Sequence, residues 1–119
     1  MDSISEYISR LSSFIPEFSE RWNSDDCLFN LGNESTVHGV FAEFSHLVIE
    51  HLQNDSLANK VELFLFIETI VLKNNNDSNA VFTCFLENII NRFDDSINSD
   101  SVMPYLSKES KVFVNANYA

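Results

Sequence analysis

Apolar residues along the chain fall into helical stripes separated by short polar breaks. In "DSISEYISRLSSF" (2–14) Ile4, Ile8 and Leu11, continued by Ile15, recur at three- and four-residue spacing, with Tyr7 and Phe14 flanking them. That periodicity predicts an amphipathic helix. Ser3 followed by Glu6 has the form of a capping box, in which each side chain satisfies an orphan amide. Pro16 ends this helix or opens the next, and "PEFSERW" places Pro at the first helical position with Glu17 and Glu20 beside the positive end of the dipole. The stretch "NSDDCLFNLGNES" (23–35) is rich in turn formers and predicts an irregular link with one helical turn around 27–31.

A second long helix is predicted over about 35–52, where Val37, Val40, Phe41, Phe44, Leu47, Val48 and Leu52 share one broad face. Asn54, Asp55 and Ser56 interrupt the pattern, with Ser56 placed as an N-cap. The third helix, about 57–73, is apolar almost all round, which predicts the central and most buried element. A polar loop (74–79) ends in a cap and leads to a fourth helix over about 79–94. Its stripe is Phe82, Phe85, Leu86, Ile89 and Phe93, with Glu87, Asn88, Asn91 and Arg92 outside. After "DDSINSDS" a last short helix is predicted near 102–114. No internal repeat or second domain is visible. The expected fold is all-α: one domain over 1–119, a bundle or orthogonal array of five to six helices.

Composition narrows the function classes. The 119 residues are 45% hydrophobic and include 11 Phe, too apolar for a disordered acidic tail and sufficient for a core without staples. Gly 2 and Pro 2 argue against an all-β fold, which needs a turn residue every ten positions or so. Scarce glycine also leaves little means of building backbone nests for phosphate or an oxyanion. There is no G-x-S-x-G, no phosphate loop and no defensible Cys–His pair, so neither an enzyme nor a cofactor is expected. The longest apolar run, "VELFLFIETIVL" (61–72), falls short of the ~20 residues a bilayer span needs. "MDSISEYISR" has no signal-peptide features, and Cys27 and Cys84 are widely separated and read as reduced, buried thiols. A cytoplasmic protein with no membrane partner is the expectation.

Charge adds the strongest global signal. Seven Lys and Arg against 18 Asp and Glu give −11, spread along the whole chain. Such a field repels nucleic acid and anionic membranes and attracts basic partners. Solubility alone explains the same excess equally well.

Three sets of titratable residues invite a chemical role. Glu43, His46 and Glu50 share one side of the second helix, and Glu-x-x-His is half of a di-iron motif. The other half is missing, so the trio is read as a solvated helix face. His51 falls beside the apolar arc and is read as a satisfied, partly buried histidine, and His38 has no metal-ligand spacing to any Cys or carboxylate. Glu68 lies in line with Val61, Phe64 and Leu72. Buried unpaired it would be costly, so it needs a Lys, Arg, Tyr or His from another helix, or a place where two helices diverge. A structural ion pair is the expected solution.

"VHGVFAEFSHLVIEHL", "VELFLFIETIVL", "AVFTCFLENIINR" and "MPYLSKESKVFVNAN", over most of 35–117, resemble small helical immunity proteins of bacterial toxin–immunity systems. The likeness is to those paired with contact-dependent growth inhibition nuclease toxins. It lies in the spacing of helices and apolar anchors, not in an invariant motif. The resemblance implies a non-enzymatic cytoplasmic protein that binds and neutralises a cognate, basic toxin domain. On physical grounds the candidate contacts are Glu43 and Glu50, the loop acids Asp25, Asp26, Asp94 and Asp95, and the aromatic anchors Trp22, Tyr105 and Tyr118. The alternative is a helical adaptor whose interhelical groove holds a partner helix.

Overall fold

The computed structural model describes residues 3–25, 27–93 and 95–118, and of Ser3, Asn33, Asn117 and Tyr118 it describes the backbone alone. Among these residues the chain is all-α. The elements are α1 (Ser3–Phe14), α2 (Glu17–Trp22), α3 (Val37–Gln53), α4 (Lys60–Val71), α5 (Asn76–Ala80), a π-helical stretch (Val81–Leu86), α6 (Glu87–Ile90) and α7 (Lys108–Tyr118). The segments from α5 to α6 run on as one rod. Short 3-10 turns occupy Gly32–Glu34, Ser99–Ser101 and Met103–Tyr105.

Local chemistry sets where these helices begin. Thr36 caps α3, its Oγ1 accepting from the Gly39 amide at 3.0 Å. Gly39 has no side chain for a steric reason: a Cβ there would lie 3.2 Å from the Cβ of Phe29. Its absence lets the 23–35 link lie flat on α3. Asn75 and Ser78 form a reciprocal capping box at the start of α5. The Ser78 hydroxyl also donates to the Ile70 carbonyl at 2.7 Å, which binds the end of α4 to the start of the rod.

Aromatic packing joins the helices. Phe85 of the π-helical stretch is fully buried, with its ring centroid 6.4 Å from Phe41, 6.0 Å from Phe44 and 6.3 Å from Phe64. Phe18 of α2 meets Phe44 edge-on at 5.0 Å, and Tyr7 of α1 meets Phe41 at 5.3 Å. Each such pair contributes roughly 0.5–1.5 kcal/mol beyond its area.

Several expectations are corrected. The most buried helix is α3, which α1 and α2 cover on one side and the α5–α6 rod on the other. The all-round apolar α4 instead sits at the side, with Val61 51%, Leu65 63% and Leu72 63% exposed. Ser56 does not cap α4. Its hydroxyl lies 2.9 Å from His51 Nδ1, and α4 starts at Lys60 after Asn59, whose amide reaches the Phe14 carbonyl. The rod spans 76–90 rather than 79–94, because the Asn75 cap starts it early. The final helix begins at Lys108 because the preceding residues are held in 3-10 turns around Pro104, which has no amide proton to donate. The single turn forecast at 27–31 lies instead at Gly32–Glu34, where Gly32 takes φ +62. Cys84 is half-buried, and both cysteines are free thiols. The Ser3 side chain of the forecast capping box is outside the described residues.

Glu68 is buried although Val61 and Leu72 of its stripe are exposed, and its partner is not a cation. Its carboxylate accepts from the Ser107 amide at 2.9 Å, the Ser107 hydroxyl at 2.5 Å and the Ser110 hydroxyl at 2.9 Å. It therefore caps α7 across the fold, placing negative charge at the positive end of that helix dipole. Replacing it with Leu strands one amide and two hydroxyls, so Glu68→Leu is expected to cost about 2–3 kcal/mol. Glu68→Gln should cost less. Urea unfolding at constant m-value checks this, and an unchanged midpoint for Glu68→Leu contradicts the capping role.

Tyr7 gives a pH-dependent handle on the α1–α5 contact. Its hydroxyl donates to Asp77 Oδ2 at 2.6 Å. Burial first, then the Asp77 hydrogen bond and charge, push its ionisation well above the ordinary value of 10.0. The unfolded chain loses this proton near pH 10 while the folded protein retains it. The stabilisation is thus intact below that pH and is lost as pH rises toward the folded value. Stability should fall above pH ~10 more steeply in the wild type than in Tyr7→Phe. Equal alkaline slopes in denaturant titrations of the two proteins would contradict this linkage.

Candidate functional site

Helix α2 carries Glu17, Glu20 and Arg21 on one face, and Ser24, two residues past its end, continues that face. That face looks across at Glu43, Leu47 and Glu50 of α3, and the two enclose a cleft of about 500 Å³. The cleft continues past Glu17 and Glu50 to His51, Asn54 and Ser56. Leu47, only 3% exposed, forms an apolar floor.

Arg21 organises the carboxylates. Its Nε donates to Glu43 Oε1 at 3.2 Å, and its Nη1 donates to Glu50 Oε2. Burial works against the guanidinium charge, but the hydrogen bonds and charges of Glu50 and Glu43 outweigh it, and Arg21 is held more firmly protonated than a free arginine. His51 Nε2 lies 2.9 Å from Glu17 Oε1, fixing the far end of the wall. Two of the cleft's four carboxylates are thus bonded to its one permanent cation, and the cleft retains an excess of negative charge.

The structure sorts the forecast contact residues unequally. Glu43 and Glu50 are brought together, but the outward-facing trio is corrected. Glu43 is 8% exposed and committed to Arg21, because α3 is covered on nearly all sides; only Glu50 is open to solvent. Trp22 is corrected as a surface anchor: it is 4% exposed and packs on Phe18 with centroids 6.3 Å apart. Tyr105 is half-buried, stacked on Phe64 at 6.1 Å beneath Lys60. Asp25 is exposed next to Ser24 of the cleft. Asp95 is exposed beside Ser96, whose hydroxyl accepts from Gln53 at the end of α3. Asp26, Asp94 and the Tyr118 side chain lie outside the described residues. Glu17, Glu20 and Arg21 were not singled out as contacts, although their shared helical face was visible in the spacing.

The arrangement suits charge recognition. Carboxylates over an apolar floor accept the head and stem of a Lys or Arg side chain. At the far end of the cleft Ser56 Oγ lies 2.9 Å from His51 Nδ1, and the same ring reaches Glu17 Oε1 through Nε2. His38 is bonded to Asn79 at 3.2 Å, and among the described residues no three His, Cys, Asp or Glu side chains gather in a metal-binding group. No helix among them is long and apolar enough to cross a membrane. A larger cleft of about 660 Å³, between α1, the end of α2 and the following loop, is lined by Ile4, Ile8 and Trp22 together with serines and asparagines, and no charged side chain lines it.

Removing Arg21 tests how the cleft is held. Arg21→Met leaves Glu43 buried without its cation and should destabilise by about 1–3 kcal/mol, the pair being partly exposed. Adding Glu43→Leu should recover much of that loss, because both members of the pair are then gone. A double-mutant cycle by chemical denaturation measures the coupling, and additive losses contradict a mutual pairing.

No curated protein and no solved structure shows significant similarity to the chain. One family does match, over residues 8–118, nearly the whole of the chain: the chain belongs to the DUF7674 family, described as a domain of unknown function.

Proposed function

We propose that this protein is a non-enzymatic immunity protein that acts in the cytoplasm. Its α2–α3 cleft receives cationic side chains of a cognate, basic toxin domain of the nuclease type. The observation that carries this reading is the grouping of Glu17, Glu20, Glu43 and Glu50 around Arg21 over Leu47. A nuclease must present cations to phosphate, and an acidic surface that meets them blocks substrate and repels nucleic acid in its place. The charge of −11 accelerates encounter, and buried contacts govern dissociation. The resemblance in helix spacing to immunity proteins agrees with this role.

Affinity capture from the native host, in 20 and 200 mM salt, tests it. The bait is the wild type or a Glu17→Lys/Glu20→Lys variant, whose altered side chains are exposed and leave the Arg21–Glu43 pair intact. A stoichiometric basic polypeptide should bind the wild type, more weakly in high salt. The double reversal should slow its association about tenfold or more and flatten the salt dependence. Co-expression of the wild type should suppress the toxicity of the captured polypeptide. Equal association rates for both baits rule out the cleft, and capture of no basic partner rules out the function.

A further inference from the structure

The end of α3 brings three side chains into line. The Asp55 amide donates to the Leu52 carbonyl at 3.3 Å and the Ser56 amide to the His51 carbonyl at 2.8 Å, with Asp55 at φ 51. This is a Schellman closure, which folds the second residue past the cap back against the last turn of the helix, where an apolar contact usually forms. Here the two residues so placed are Ser56 and His51. Ser56 Oγ lies 2.9 Å from His51 Nδ1, and His51 Nε2 lies 2.9 Å from Glu17 Oε1 of α2.

A carboxylate only accepts, so Glu17 takes the hydrogen of Nε2 and leaves the Nδ1 lone pair of the neutral ring facing the Ser56 hydroxyl. A hydroxyl bonded to an imidazole that a third group orients is the arrangement that activates a serine as a nucleophile. The three residues line a cavity of about 160 Å³ with Leu47, Glu50 and Asn54. Ser56 is open to solvent there, while the His51 side chain is only 21% exposed. Glu17 and Glu50 make the cavity negative, which disfavours phosphate-bearing donors. The Ser56 amide is taken by the His51 carbonyl, and the Asn54 side-chain amide by the Glu50 carbonyl at 2.9 Å. A developing oxyanion therefore gains no preorganised donor from either, and the reacting carbonyl must carry a good leaving group.

We infer that Ser56 is a reactive nucleophile that accepts an acyl group from an uncharged, activated carboxylic ester, with His51 as its base and Glu17 as a positioning residue. Ser56 Oγ attacks the carbonyl carbon as its proton passes to His51 Nδ1. The tetrahedral adduct collapses, the bond from that carbon to the leaving oxygen breaks, and the proton passes from Nδ1 to the departing alcohol. The products are an ester on Ser56 and one free alcohol, and the His51–Glu17 pair returns to its starting state. The new serine ester has a poorer leaving group than the donor, and without an oxyanion site it is hydrolysed slowly. One acyl group is therefore taken up per chain without turnover, so the protein remains non-enzymatic. The modification needs no protein partner and is tested apart from the binding role of the cleft.

The probe is p-nitrophenyl acetate, followed by nitrophenolate release and by the masses of proteolytic peptides. The wild type should release one equivalent and carry an acetyl group on Ser56, and Ser56→Ala should lose both signals. His51→Gln should acetylate Ser56 about tenfold or more slowly. Glu17→Gln should slow the reaction less and move the pH midpoint of its rate downward, because an imidazolium without its carboxylate releases the proton more readily. Glu50, the other titratable group in the cavity, is the same in all these proteins. Acetyl phosphate, which brings the same acetyl group with negative charge, should leave Ser56 unlabelled. Thermal unfolding should be alike throughout. Three results each overturn the inference: no acetyl group on Ser56, equal rates in the wild type and His51→Gln, or equal labelling by acetyl phosphate. An unmoved pH midpoint in Glu17→Gln removes Glu17 from the assignment.

Discussion

Phe85 touches Phe41 and Phe44 on α3 and Phe64 on α4, and the mutual placing of α3, α4 and the rod depends on that contact. Its own backbone is π-helical, a geometry that widens the turn and occurs mainly as a local insertion in α-helices. With Phe85 at the centre, α3 has the rod on one side and must take α1 and α2 on the other. Phe18 and Tyr7 complete that second side through their contacts with Phe44 and Phe41. A helix enclosed in this way cannot keep a polar face in water. Ser45 and Glu43, which a surface helix would leave solvated, are both buried.

Two carboxylates are buried as a result of this packing, and the fold satisfies them differently. Glu43 receives a side-chain cation from α2, and Glu68 receives the amide and hydroxyls at the start of α7. Each contact also fixes a helix whose own apolar surface is small. Helix α2 has six residues, too few to be stable alone, and Arg21 ties it to α3 beside the Phe18 contact. Helix α7 is seated through Val114 and the Phe82–Phe113 stack at 4.8 Å, and Glu68 sets its starting point. The acidic cleft is therefore a consequence of core packing. Enclosing α3 draws α2 close, and closeness brings Glu17 and Glu20 up to Glu50.

Helical periodicity was enough to place α1, α3 and α4 within a few residues, because their stripes are long and their breaks rich in Asn, Asp and Ser. It could not rank their burial. Helix α4 is the most apolar by sequence, yet α3 is the more enclosed, since burial depends on which neighbours arrive and not on one helix alone. The same limit hid the site. Glu43 and His46 sit on what the wheel marks as the outer face of α3, and only the docking of α2 shows that Arg21 closes over it. Glu17 and Glu20 had a sufficient local explanation at the N-terminus of α2, so nothing in the sequence alone called for another. Glu68 was legible as an anomaly, but its partner was not. A helix N-terminus with two serines does the work of a cation and leaves no charged residue to look for.

The misjudged burial of α4 bears directly on how the surface is divided. An all-round apolar helix that sits at the side of a domain leaves part of its hydrophobic surface uncovered, here Val61, Leu65 and Leu72. In a molecule of charge −11, cations gather beside that helix, with Arg10, Lys60 and Lys73 over the rings of Phe66, Tyr105 and Tyr7. The single cation in the α2–α3 cleft is already committed to Glu43 and Glu50. One side is thus apolar with cations at hand, and another is acidic with a narrow apolar floor. Surfaces so different in chemistry respond differently to salt, because screening weakens attraction between unlike charges and leaves apolar contact largely unaffected. That difference distinguishes the two surfaces, and it follows from where seven cations lie in a strongly acidic chain.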